Sequence, residues 1–171
     1  MKITAKIAFV LAFALCLAAA PARAGNFDDR KGAFAAQYGI GLDIIDGDAG
    51  FSMAFEGEYF FHQNVSIVPR LSLDLHDGVT IFTITGDARY TFDLREPRFQ
   101  PFVEMGAGVA IGDPDGGDSE AAFQFEFGGG ANYYFTDNFA AGSEMLFTFP
   151  IDLFDENFAW QWQVVTVRYI F

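Results

Sequence analysis

The sequence predicts an all-β protein: an eight-stranded antiparallel up-and-down transmembrane β-barrel, preceded by a cleavable signal peptide. Three observations predict it. The chain starts with the profile of an export signal, residues 33–171 break into eight long runs of period-two alternation, and one face of those runs is too large and aromatic for water.

The export signal comes first. Lys2 and Lys6 precede an apolar run from Ile7 to Ala20. That run is short of the ~20 residues a bilayer-spanning helix needs. Pro21 and Ala22-Arg23-Ala24 supply an A-x-A cleavage site. Residues 1–24 therefore read as a signal peptide and 25–171 as one barrel domain. Cys16 follows Leu15, where a lipoprotein cleavage site wants a small residue, so lipidation is discounted.

Composition excludes several classes of protein. No cysteine remains after residue 24, which excludes disulfides and thiolate metal sites. Without Lys2, Lys6 and Arg23, the ten basic residues fall to seven against 23 acidic ones, a net charge of 16 negative. A phosphate backbone needs a basic surface, so nucleic acid is excluded as a partner. Disordered acidic chains are poor in aromatics; this one carries 22 Phe and 18 Gly, a mixture that favours strands over helices.

Strands are predicted near 33–44, 50–61, 65–76, 79–92, 99–111, 121–135, 139–149 and 158–171. Their lengths suit tilted membrane strands of about 9–11 residues or more. In the first, Phe34, Tyr38, Ile40 and Leu42 oppose Gln37, Gly39, Gly41 and Asp43; in the second, Phe51, Phe55, Tyr59 and Phe61 oppose Ser52, Glu56 and Glu58. The third sets Ile67, Leu71 and Leu75 against Ser66, Arg70, Ser72 and Asp74, and the fourth sets Phe82, Ile84 and Tyr90 against Thr83, Thr85, Asp87 and Arg89. Glu104, Glu126 and Glu144 share the polar face of the fifth, sixth and seventh with several glycines. Alternation of this kind marks strands with two different faces.

Turn chemistry agrees with these faces. His76-Asp77-Gly78-Val79 is predicted as a two-residue hairpin with Asp-Gly at its centre. Its register places Arg70 opposite Thr85 and diagonal to Asp87. Thr136-Asp137-Asn138 is predicted as a three-residue turn that pairs Phe135 with Phe139. The last strand breaks parity: Phe158, Trp160 and Trp162 share one register, and Val165, Val167, Tyr169 and Phe171 the other. A β-bulge near Val164-Val165 restores a common face. The alternative has both tryptophans pointing inward.

Residue size decides which face is outside. Gly39, Gly41, Gly106, Gly108, Gly128, Gly130 and Gly142 lie on the polar face, as suits the crowded bore of a narrow barrel. The opposite face, large and apolar on every strand, is expensive in water at about 25 cal/mol per Å². Lys31 is the one lysine after residue 24, a poor complement for a soluble surface. Tyr59, Tyr90, Phe92, Tyr133 and Tyr169 near strand ends suit the aromatic girdle of a membrane barrel. In hydrocarbon an open sheet edge is not tolerated, so the sheet closes. A soluble, lipocalin-like ligand-binding barrel is the architectural alternative.

The terminal Val167-Arg168-Tyr169-Ile170-Phe171 is similar to the C-terminal signal of Gram-negative outer-membrane proteins. Together with Pro101-Phe102-Val103-Glu104-Met105-Gly106-Ala107-Gly108 and Phe127-Gly128-Gly129-Gly130-Ala131-Asn132-Tyr133-Tyr134-Phe135, it resembles the small eight-stranded OmpA/OmpX-like barrels, the porin-family outer membrane β-barrel domain. The resemblance covers the chain after residue 24. It implies an outer-membrane location and an assembly machinery that reads Tyr169 and Phe171.

The candidate site is a structural polar network in the barrel interior: Glu56, Glu58, Arg70, Asp74, Asp87, Arg89, Glu104, Glu126, Glu144 and Arg168. Buried charges have to pair or hydrogen-bond. A satisfied plug is favoured over a gated polar pore, because eight strands leave a bore only wide enough for side chains. External loops are expected at 43–49, 76–78, 112–120 and 150–157; with their margins they are acidic and lack Lys and Arg. Loop solubility is the first explanation. Divalent cations shared with lipopolysaccharide phosphates are the second, since oxygen-rich loops suit Ca²⁺ or Mg²⁺.

No cofactor or catalytic group is expected. Some eight-stranded barrels are lipid A deacylases, but their His and Ser-Asn motif is absent; His62 falls in a turn, and His76, with Asp74 and Asp77 nearby, stands four residues from Ser72. The leading function is a monomeric, non-enzymatic envelope barrel with a structural, adhesive or interaction role. A narrow channel for small or apolar solutes and a lipid A-modifying enzyme are the alternatives.

Overall fold

The computed structural model describes residues 30–45, 47–114, 119–151 and 159–171. The expected signal peptide, 1–24, lies outside the described residues. Eight strands form: β1 (Phe34–Ile45), β2 (Asp48–His62), β3 (Val65–His76), β4 (Val79–Thr91), β5 (Phe99–Pro114), β6 (Glu120–Tyr134), β7 (Phe139–Ile151) and β8 (Ala159–Ile170). Each is antiparallel to the next, and β8 pairs with β1 to close the barrel. Both described chain ends lie at one end of the barrel. The β1–β2, β3–β4, β5–β6 and β7–β8 connections lie at the other, the distal end.

The alternation sorts as a membrane barrel requires. Met105, Ile67, Phe127 and Val103 are exposed on the outer surface. Glu56, Arg70, Asp87, Arg89 and Glu104 are buried within the lumen. This distribution, polar inside and apolar outside, is the reverse of a soluble lipocalin-like barrel and overturns that alternative.

Both predicted turns form. His76 pairs with Val79, and Gly78 takes a φ of 79°, the left-handed conformation that Asp-Gly hairpins need. At the other end the Phe135 amide donates to the Phe139 carbonyl at 2.9 Å, and the Thr136 hydroxyl accepts from the Phe139 amide at 3.0 Å.

The bulge forms as well. Against β1, Val165 pairs with Ile40 but Trp162 pairs with Leu42, so one extra residue sits in β8. Val164 and Val165 both point outward in succession. Trp162 is therefore exposed on the outer surface, where its indole N–H donates to Ser143 Oγ at 3.0 Å. Gln161 and Gln163 point inward instead. The alternative with inward tryptophans is overturned: lumen positions go to amides that can hydrogen-bond.

The distal loops are shorter than expected. Asp43 pairs with Gly50 and Ile45 with Asp48, so most of the segment 43–49 is ladder. β5 continues to Pro114, β6 starts at Glu120, and β7 runs to Ile151. Pairing continues past the apolar band because every further ladder pair satisfies backbone groups. Asp and Gly in those segments obscured that continuation in the alternation.

Close approach requires glycine at several lumen positions, Gly41 and Gly106 among them. A Cβ on Gly41 would overlap the Trp162 carbonyl oxygen, at the bulge, and a Cβ on Gly106 would overlap Asp87 Oδ1. Gly86 faces outward with open space around it. We expect Gly41→Val to lower unfolding free energy by roughly 2 kcal/mol or more, as overpacking does. Gly86→Ala is expected to stay within about 0.5 kcal/mol of the parent. Urea unfolding in phospholipid vesicles measures both; equal effects would remove the bulge from the closure account.

Candidate functional site

The lumen is built in three layers along the barrel axis. The layer nearest the chain ends is apolar. Ala33, Ala35, Phe60, Tyr134, Ala140 and Ile170 form a buried cluster across β1, β2, β6, β7 and β8. The segment before β1 is pinned there: Gly32 N donates to the Phe60 carbonyl at 2.7 Å, and Ala33 N to the Arg30 carbonyl at 2.8 Å. Arg30 thereby enters the barrel end, its guanidinium 5.1 Å from the Tyr134 ring and 5.7 Å from that of Phe60. Stacking on aromatic faces suits a planar cation removed from water.

The middle layer is ionic. Arg70 donates to Glu56 Oε1 at 2.9 Å, Glu104 Oε1 at 2.7 Å and Glu126 Oε1 at 3.0 Å, and also to Glu144. Asp87 lies 3.7 Å away. Arg89 donates to Glu104 Oε2 at 2.7 Å, Glu56 Oε2 at 2.8 Å and Glu144 Oε2 at 3.1 Å, while its guanidinium covers the Phe102 ring at 4.2 Å. Arg168 pairs with Glu58, which also accepts from Ser66 Oγ at 2.5 Å. Gln37 donates to both Glu56 and Glu144, at 3.1 and 3.0 Å, and Thr85 donates to Glu126 at 2.8 Å. Two guanidinium forks thus hold carboxylates from β2, β5 and β7, and Arg70 adds β6.

The distal layer is amide and hydroxyl. Gln161 donates to Ser52 Oγ at 2.9 Å and Asp74 Oδ1 at 2.8 Å; Gln163 donates to Ser52 Oγ at 2.8 Å; Ser72 donates to Asp74 Oδ2 at 3.1 Å. His76 Nε2 lies 2.9 Å from Asp43 Oδ2. Beyond these groups the lumen widens into a recess of about 290 Å³.

Glu56, Glu58, Arg70, Asp87, Arg89, Glu104, Glu126, Glu144 and Arg168 therefore meet in one layer. Asp74 lies apart from them, in the distal layer. Tyr169 faces outward and Phe171 sits at the strand end, their rings edge to face at 5.0 Å. His76 faces Asp43, and Ser72 turns to Asp74. No nucleophile–base contact joins Ser72 and His76, and a triad needs direct hydrogen-bond reach. Asp43, counted among the acidic loop residues, is a lumen residue. Among the described residues no group of three or more His, Cys, Asp or Glu is placed to hold a metal ion. Of the other acidic loop residues, Asp46, Asp115, Asp118, Asp152, Asp155 and Glu156 lie outside the described residues.

Sequence reasoning missed Arg30, the bridging role of Gln37, and the inward Phe60, Tyr134 and Leu146. Parity was the available signal: Phe60 shares its register with Glu56 and Glu58.

The family described as outer membrane protein beta-barrel domain matches residues 8–164. No curated protein matches the sequence. Among solved structures, Neisserial surface protein A superposes with a TM-score of 0.67 at 14% identity, covering 80% of this chain and 95% of its own. The N-terminal β-barrel domain of Pseudomonas aeruginosa OprF gives 0.62 at 18% identity, over 82% and 98%. A de novo designed transmembrane β-barrel gives 0.53 at 14%, over 84% and 99%. At these identities the likeness speaks to the fold.

Arg70 is the hub: its loss leaves Glu126 without its described cation and leaves Glu56, Glu104 and Glu144 to Arg89 alone. Arg70→Met is expected to cost about 3–5 kcal/mol, the range for breaking a buried ion pair. Glu144→Gln keeps the side-chain shape and removes one of several crowded negative charges, so a change within about 1 kcal/mol is expected. Unfolding titrations of the two variants check the pair; a harmless Arg70→Met would show that the ionic layer does not hold the barrel.

Proposed function

The chain belongs to the outer membrane protein β-barrel domain family and is a protein of the bacterial outer membrane; we propose that it is a closed, non-enzymatic envelope barrel with a structural or interaction role. One observation carries the reading. Arg70, Arg89 and Arg168, with the six carboxylates around them, fill the middle of the bore, and the Phe60–Tyr134–Ile170 cluster lies behind them. A transport path would have to break both layers. Breaking a buried network is costly, so the polar interior acts as structure.

The rest of the molecule is assigned accordingly. The outward apolar band contacts lipid and the acyl chains of lipopolysaccharide. Tyr169 and Phe171 serve as the assembly signal, because the terminal strand carries them at its outer side and end, where the insertion machinery can reach them. The acidic distal rim is assigned to loop solubility ahead of cation bridging, since its described members Asp48, Asp77, Asp113 and Glu120 belong to three different hairpins. The protein acts as a monomer, its sheet having no free edge to pair.

Reconstituted in planar bilayers, the folded protein is expected to give no steady conductance. Lipid A from cells overexpressing it is expected to keep its mass spectrum. Sustained ion flux would move the reading to a narrow channel, and a shifted lipid A mass would move it to an enzyme.

A further inference from the structure

The distal recess has a lining that the plug does not explain. Beside the polar Thr83, Gln124, Thr148, Glu120 and Glu126, its wall is apolar at Ile45, Val79, Ile81, Ala122 and Pro150. These positions lie on the inward register, which carries polar groups in the two layers beneath the recess. Its inner end carries Asp74, which is 4% exposed. The described partners of Asp74 are neutral: Ser72 Oγ at 3.1 Å and Gln161 Nε2 at 2.8 Å. The carboxylate of Asp43 lies on the same wall and is shared with His76.

A buried carboxylate without a cation is costly. The connections at this end, 46–47, 77–78, 115–119 and 152–158, contain no Lys or Arg that could supply one. Arg70, which also borders the recess, is committed to the glutamates of the ionic layer.

We infer that the recess binds a small organic cation, an ammonium group carried on an apolar body, with the ammonium on Asp74 and the body against Ile45, Val79 and Ile81. An inorganic divalent cation fits poorly, because Ca²⁺ asks for six to eight oxygen ligands and Mg²⁺ for an octahedral set, while among the described residues no three His, Cys, Asp or Glu converge to hold a metal ion. An anion would meet the carboxylates of Asp43, Asp74, Glu120 and Glu126. A neutral apolar molecule would cover Asp74 without compensating it. The volume stands at the small end of ligand pockets. The inference goes beyond the closed-barrel reading and does not depend on it, since a conducting lumen would keep the same lining as a vestibule.

The test uses the folded protein in phospholipid nanodiscs, with methyl resonances of Ile45, Val79 and Ile81 as the readout. The probes are 2-phenylethylammonium, its neutral analogue 2-phenylethanol, the anion 3-phenylpropionate, and Mg²⁺ alone. Saturable shifts from the ammonium are expected, with the alcohol and the carboxylate weaker by about tenfold or more, as the loss of a charged hydrogen bond gives. Asp74→Asn is expected to reduce the ammonium to the level of the alcohol. Ala122→Trp fills the recess, leaves Asp74 in place, and is expected to abolish the shifts. Equal binding of the three organic probes, unchanged ammonium binding in Asp74→Asn, binding that survives Ala122→Trp, or the same shifts from Mg²⁺ would each overturn the inference. Steady conductance together with the expected shifts would strike the closed-barrel reading alone.

Discussion

Closure of the sheet is the constraint on which the rest of this molecule depends. Hydrocarbon offers no hydrogen bonds, so every backbone N–H and C=O has to find a partner within the sheet. The pairing of β8 with β1 removes the last edge. Eight strands then set the bore, and a bore of that width is filled by side chains or left as small voids. Residues on the inward register have no choice of neighbours: Gln37 on β1 meets Glu144 on β7 because closure brings them together across 107 residues of sequence.

Charge in such a space organises itself around its few cations. Two guanidinium forks collect carboxylates from opposite walls and so cross-link strands that are not neighbours in the sheet. Bidentate, planar donors suit this task better than lysine would. The glycines belong to the same arrangement: Gly106 has no side chain where Asp87 sits, and Gly41 has none where the β8 bulge presses in. The bulge in turn lets β8 present indoles to the outside and amides to the inside.

Much of this was legible in the sequence. Period-two alternation located all eight strands, with ends within three residues of those observed. Asp77-Gly78 and Thr136–Asn138 set the register, and the parity break between Trp162 and Val165 revealed the bulge, because a strand facing lipid cannot change its face without an extra residue. Other features were not legible. Alternation reports two faces but not how the inner face changes along the axis. Phe60 and Tyr134 at one end, and Val79 and Ile81 at the other, are apolar residues on the polar register, and reading by residue type passed over them. The partners within the ionic layer depend on strand stagger across the bore, which no local pattern carries. Arg30 enters through a segment outside the strands. The distal loops were drawn too long, since Asp and Gly masked ladder pairs such as Asp43 with Gly50.

A lumen shut between its two ends is the central claim, and thiol accessibility measures it directly. The chain after residue 24 has no cysteine, so single cysteines report alone. Thr83 lines the distal recess, and Ser66 lies behind the ionic layer, hydrogen-bonded to Glu58. In nanodiscs, a small charged thiol reagent should modify Thr83→Cys rapidly and leave Ser66→Cys protected until the protein is unfolded. Equal modification of both positions in the folded protein would contradict a closed lumen.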